Sequence, residues 1–257
     1  MDKRRRLFLI SCFVFIDVLL IGVFFLFRDV RFKLALQNEV NALVELDFSK
    51  DLVNSSIKTK GHYAVVEKTL KSYFQVHSAN IQTVDEYKND LILDDLTSVS
   101  NYILDGPYFI DSLKYIENYK NKFNVYVDNL ILNTCEESID TYIYNFTEDE
   151  NDVEMYRSLI RANGLIDIVL EDREYLINKK TLYNNYFDSI TNLFLFLSNN
   201  KDFYYIDGNN DMVFLNDDVR LEYENLLGQI KRINWFISID FFILQWQSYY
   251  LNLYLQL

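Results

Sequence analysis

Residues 63–77, YAVVEKTLKSYFQVH, decide the fold class. Tyr63, Val66, Leu70, Tyr73, Phe74 and His77 recur at the spacing that lines one face of an α-helix, so a helix is expected over 63–77. The same period returns on either side of it. One proline and six glycines in 257 residues leave few turn signals and favour long, uninterrupted elements. Thr83-x-x-Glu86 has the form of a capping box and predicts the start of a further helix. Gly106-Pro107 breaks the chain, and Pro107 opens a helix carrying Phe109, Leu113, Ile116, Phe123, Val127 and Leu130 on one face. Thr147-x-x-Glu150 is another capping signal, and Gly164 suits a helix end after Arg161. Two more helices are expected over 166–177 and 180–198.

One segment leaves this period. Phe203-Tyr204-Tyr205-Ile206 and Met212-Val213-Phe214-Leu215 are aromatic and β-branched, and Asp207-Gly208-Asn209-Asn210-Asp211 separates them. That pattern predicts a β-hairpin, which needs helices to pack on because an isolated hairpin is marginal in water. From about residue 217 a helix is expected to run to the C-terminus. Val219, Tyr223, Leu226, Ile230, Ile233 and Ile237 form one stripe along it, and Trp235, Ile239, Phe242, Trp246, Tyr249 and Leu253 a second. Two stripes imply burial on more than one side, as a core helix or a partner-binding face. From Ile233 to Leu257 only Asp240 is charged, which raises a second membrane span as the alternative, and Asn234, Ser238, Gln245, Gln247, Ser248, Asn252 and Gln256 argue against it.

At the N-terminus, residues 7–27 form the run LFLISCFVFIDVLLIGVFFLF, preceded by Lys3, Arg4, Arg5 and Arg6. As a helix it reaches about 31 Å, enough for a hydrocarbon core of roughly 30 Å. It is longer than a secretory signal core and lacks a small-residue exit. Leu9-Ile10-Ser11-Cys12 looks like a lipobox, but Arg6 stands too close to Cys12 for an apolar signal core, and the run continues to Phe27. An uncleaved anchor is the reading. Asp17, near its middle, is either a contact with a partner span or a carboxyl tolerated among apolar neighbours. The short basic N-terminus and the large acidic remainder favour an N-inside, C-outside orientation.

Past residue 33 the chain keeps 18 basic and 35 acidic residues, a surface that repels phosphate backbones and disfavours nucleic acid as a partner. Cys12 lies in the apolar run and Cys135 is alone beyond it, so no disulfide forms within the remainder. Asn54-Ser55-Ser56 and Asn145-Phe146-Thr147 match a glycosylation pattern common by chance. His62 and His77 stand fifteen residues apart with no HExxH motif or Cys/His cluster, which argues against a structural zinc site. Serine-nucleophile, Walker and dinucleotide-binding motifs are absent from the sequence. Asp207, Asn209, Asp211 and Asp218 fall at four ligand positions of an EF-hand-like loop. Met212 replaces its glycine and Asp218 its glutamate, so an Asx-rich hairpin turn is the reading. Glu136-Glu137, Glu148-Asp149-Glu150 and Asp217-Asp218 read as solvated helix ends. No catalytic, cofactor-binding or metal-binding residue is assigned.

The fold class expected is mainly α. An N-terminal transmembrane helix precedes an all-α helical-bundle domain with one short β-hairpin and a long C-terminal helix. The divisions are a cytoplasmic N-terminus at 1–6, an anchor at 7–27 and a stalk or linking helix at 28–60, where Leu36, Val40, Leu43, Val44 and Phe48 keep helical spacing. One helical extracytoplasmic domain follows at 61–257, with its hairpin at about 203–215 and its last helix at about 217–257. The anchor, the Tyr63-x-x-Val66-Glu67-Lys68 to Phe74 helix, and the hairpin running into Leu221-x-Tyr223-x-x-Leu226-Leu227 give the chain a layout. It resembles that of uncharacterised single-pass, helix-rich envelope proteins of low-GC Gram-positive bacteria. The resemblance implies a source and a fold class, and no activity. The functional expectation is a membrane-anchored interaction or scaffold protein of the cell envelope, with a protein partner or self-association and no cofactor. The alternatives are an extracytoplasmic sensory or ligand-binding domain and an acidic hydrolase.

Overall fold

The structure is a computed structural model that describes residues 3–45, 54–86 and 93–254, with side chains described over 15–44, 54–84 and 95–237. It is mainly helical, with one two-stranded antiparallel hairpin. In chain order come α1 (Lys3–Glu45), α2 (His62–Glu86), α3 (Leu93–Leu96), α4 (Val99–Asp105), α5 (Ile110–Asn133) and α6 (Glu136–Thr141). A 3-10 turn, Tyr142–Asn145, leads to α7 (Glu150–Ala162) and α8 (Leu165–Asn199). A second turn, Lys201–Phe203, leads to β1 (Tyr204–Ile206), β2 (Met212–Phe214) and α9 (Asp217–Tyr254).

The chain forms two compact units. The first takes residues 1–79 and 135–170, the second 80–134 and 171–257. In the first, the stripe of α2 does what its spacing requires: Val66, Leu70, Tyr73 and Phe74 are buried. They pack with Leu36, Val40 and Leu43 of α1, Val153, Tyr156 and Ile160 of α7, and Leu165 and Val169 at the start of α8. The Tyr156 hydroxyl, inside this core, donates to the Ile139 carbonyl at 2.8 Å, so the ring is buried without an orphaned polar group.

The second unit is built on aromatic rings. Phe109 stacks on Phe194 at 4.7 Å between centroids, Tyr102 meets both edge-on, and Phe123 packs on Tyr183 and Phe187. The hairpin pairs Tyr204 with Phe214, Tyr205 with Val213 and Ile206 with Met212. It gains the support it needs because Tyr204, Ile206 and Met212 pack on this core and Phe214 lies 5.0 Å from the Tyr223 ring of α9. Along α9, Val219, Ile230 and Ile237 of the first expected stripe are buried. Trp235 and Phe236 are exposed; the rest of the second stripe lies outside the described side chains.

Several local expectations change. Thr83 and Glu86 close α2 instead of opening a new helix, because nothing between His77 and Thr83 breaks the backbone. The helices expected over 166–177 and 180–198 are one, α8, for the same reason. α5 begins at Ile110, and its first amides are held not by its own cap but by Asp105, whose carboxylate accepts from Asp111 N at 3.2 Å and Ser112 N at 2.7 Å. Gly106 is required beside it, since a Cβ there would sit 2.2 Å from the Tyr102 carbonyl oxygen. The cap of α7 lies two residues after the expected Thr147: Asp149 accepts from Asn151 N, and Thr147 Oγ1 accepts from Asp149 N. Gly164, with φ +72°, takes the left-handed position that ends α7.

The span expected over 7–27 finds no support in the described residues, none of whose helices is long and apolar enough to cross a membrane. Side chains of α1 are described from Phe15, and from there the apolar run is only thirteen residues, about 20 Å of helix. Residues 7–14, Cys12 among them, lie outside that description. From Phe15 to Arg31 every residue of α1, Asp17 included, is exposed; from Leu36 the same helix enters the core.

Candidate functional site

The most chemically suggestive cluster in the first unit joins the start of α2 to the start of α7. His62 is the first residue of α2, Asp149 the cap of α7, and Asp152 lies in the first turn of α7. His62 Nδ1 is 2.7 Å from Asp152 Oδ1 and 3.9 Å from Asp149 Oδ2. Each carboxylate has its other oxygen committed elsewhere. Asp152 Oδ2 accepts from Thr147 Oγ1 at 3.1 Å, and Asp149 Oδ1 accepts from Asn151 N at 2.9 Å and Asn151 Nδ2 at 3.0 Å. Hydrogen bonds from Asn151, helped by the nearby imidazole, hold the Asp149 carboxyl below its ordinary range. Asp152 is 2 % exposed, whereas His62 and Asp149 open to solvent. Among the described residues this grouping brings one imidazole nitrogen and two carboxylate oxygens within 4.8 Å of one another.

A second cluster of the same unit is ionic and closed. Lys71 Nζ is 2.8 Å from Glu67 Oε1, 2.9 Å from Glu39 Oε2 and 2.9 Å from Ser55 Oγ, and all three charged side chains are buried. Glu39 Oε2 meets Lys71 at ion-pair distance but outside hydrogen-bonding geometry, and Lys58 Nζ binds its other oxygen. Glu67 also accepts from Lys58 N at 3.0 Å, Thr59 N at 2.9 Å and Thr59 Oγ1 at 2.7 Å, which pins the segment before α2 onto that helix. Burial raises the Glu67 carboxyl, but these hydrogen bonds outweigh it and the net shift is downward. Burial lowers the Lys71 ammonium, yet Glu67 and Glu39 outweigh it and the net shift is upward. A serine beside a lysine can be a nucleophile only if the lysine takes its proton. Lys71 stays charged and donates to Ser55, so this pair is structural.

In the second unit a cavity of about 410 Å³ opens beside the hairpin, lined in part by Tyr102, Gly106, Pro107, Tyr204, Ile206 and Asp207. The Tyr204 hydroxyl is sealed from solvent, and burial pushes its phenol up to about 12. Asp207 Oδ1 is occupied by Asn209 N and Asp211 N, as an Asx-rich turn requires, with Asn210 in the left-handed region at φ 64°. Asp218 stands apart from that turn, in the first turn of α9, where its amide donates to Asn216 Oδ1. The other residues with possible chemistry are dispersed. His77 is buried and stacks on Tyr73 at 5.8 Å. Cys135 precedes α6, and the Ser138 hydroxyl 3.2 Å from its sulfur lowers the thiol.

Along the chain, His62 has only His77 as a histidine to pair with. Its partners lie some ninety residues away, and the local signals there, Thr147-x-x-Glu150 and Glu148-Asp149-Glu150, mark only the helix start that gathers Asp149 and Asp152. No family model, curated protein or solved structure matches the chain.

Proposed function

We propose that this chain is a membrane-tethered helical scaffold of the bacterial cell envelope, held by residues 7–27 with its N-terminus inside and its helical units outside, and acting by binding a protein partner. One observation carries the reading: from Phe15 to Phe27 α1 is exposed on every side and, Asp17 apart, apolar on every side. Soluble surfaces rarely leave an apolar patch of that size in water, and a helix hydrophobic all round needs a covering medium. Leu7 to Val14 extend the run to membrane-spanning length in the sequence, and Lys3, Arg4, Arg5 and Arg6 supply the cations expected on the inner side. Trp235 and Phe236, exposed on α9 between the buried Ile230 and Ile237, give a partner an aromatic face of the kind that anchors interfaces.

Alkaline extraction of membranes tests the tether. The full chain should stay in the pellet and a chain lacking residues 7–27 should not; release of the full chain sinks the proposal. Crosslinking in native membranes then tests the scaffold: a crosslinked partner, reduced by Trp235→Ser with Phe236→Ser, is the expected outcome.

A further inference from the structure

We propose that His62, Asp149 and Asp152 form a binding site for one divalent transition-metal cation of the zinc or manganese type. This goes beyond the scaffold reading and does not depend on it. The donors are His62 Nδ1, Asp149 Oδ2 and Asp152 Oδ1, brought to one point from two elements far apart in the chain. Metal–nitrogen and metal–oxygen bonds of about 2.0–2.2 Å around a tetrahedral ion set donor atoms about 3.3 Å apart. The observed separations from His62 Nδ1, 2.7 and 3.9 Å, straddle that value, so small side-chain rotations close the site. The cation takes the place of the proton shared across the 2.7 Å contact.

What separates this cluster from a chance gathering of acids is how its donors are aimed. Each carboxylate is anchored through one oxygen, to Thr147 for Asp152 and to Asn151 for Asp149, and turns the other toward the imidazole. Metal sites hold their ligands by such outer hydrogen bonds. Asp152 is buried while His62 and Asp149 are exposed, so the floor of the site is fixed and its mouth is open. An imidazole with two carboxylates suits zinc or manganese better than magnesium or calcium, which prefer oxygen alone. Three protein donors leave a coordination position for water or a further ligand.

The test is calorimetric titration of the untagged full chain in detergent with Zn²⁺ and, separately, Mn²⁺ and Mg²⁺. One saturable equivalent of Zn²⁺ or Mn²⁺ is expected, with Mg²⁺ much weaker. His62→Ala and Asp149→Asn should each weaken binding by more than about 100-fold, since loss of an outer partner alone costs 10–100-fold. Asn is as good a helix cap as Asp, so Asp149→Asn removes the donor and leaves α7 capped. Asp207→Asn, at another acidic turn, should change affinity less than threefold. In parallel, nitrogen NMR of the imidazoles should show His62 Nδ1 shifting on Zn²⁺ addition while His77 stays. Absence of a saturable equivalent, or unchanged affinity in a folded His62→Ala chain, overturns the proposal.

Discussion

The first unit buries Glu39, Glu67 and Lys71, whereas the second buries packed rings such as Phe109 stacked on Phe194 and Phe123 tilted against Tyr183. The buried cation of the second unit, Lys179, lies 5.1 Å over the Tyr175 ring. Rings gain from removal from water whatever they touch. Buried charges gain only if every partner is present, and losing one leaves the others uncompensated in a medium that solvates them poorly. The first unit therefore carries a buried ionic cluster whose strength follows pH, whereas the Phe rings at the core of the second carry no group that titrates.

The largest effect that can break this contrast is Lys71→Ala. It strands Glu39 and Glu67 and should cost about 3–5 kcal/mol at neutral pH. Phe123→Ala should cost a similar amount, about 3–5 kcal/mol, through the cavity it leaves in the second unit. The two differ in their pH dependence. The Lys71→Ala cost should shrink in acid as the stranded Glu67 carboxylate protonates, while the Phe123→Ala cost stays flat. Denaturant unfolding at pH 4 and pH 7 checks both, and equal pH slopes would erase the distinction.

The parent chain gives the next effect. The Glu67 carboxyl lies below its ordinary value of 4.5 in the folded chain, so its contribution is present above that value and is lost as pH falls through the lower folded one. The Lys71 ammonium lies above 10.5, so its contribution is present below that value and is lost as pH rises past it. Hydrogen exchange should show amides of α2 around Val66 to Phe74 losing protection below about pH 4.5 and above about pH 10.5, before those of α5 around Phe123 to Leu130. The smallest effect is a control: Lys120→Ala breaks the exposed pair with Asp188 and should change stability by no more than about 1 kcal/mol, read by thermal unfolding.

How much of this was legible follows from what periodicity can register. The stripes of α2 and α5 and the aromatic, β-branched runs of the hairpin report burial directly, so those elements form about where the sequence puts them, though α2 runs on to Glu86 and α5 begins at Ile110. Capping patterns did worse: Thr83-x-x-Glu86 is a four-residue signal, and the helical backbone running through it overrode it. The ionic core was hidden for a physical reason. Glu67 and Lys71 are four residues apart on α2, which from sequence reads as an ordinary solvated helix pair; only Glu39 from α1 and the amides of Lys58 and Thr59 turn it inward. The His62 cluster was hidden by distance along the chain. Its local signal announced a helix start, and a helix start gathers carboxylates whether or not an imidazole arrives to meet them.

α1 has a mechanical consequence. It runs without a break from Lys3 to Glu45, about 65 Å of continuous helix, and its last turns carry Leu36, Val40 and Glu39 into the core. A continuous helix is an axle and not a string: its backbone hydrogen bonds resist twisting between Phe15 and Glu39. Inserting one residue between Phe27 and Leu36 therefore turns the Phe15 face by about 100° relative to Glu39.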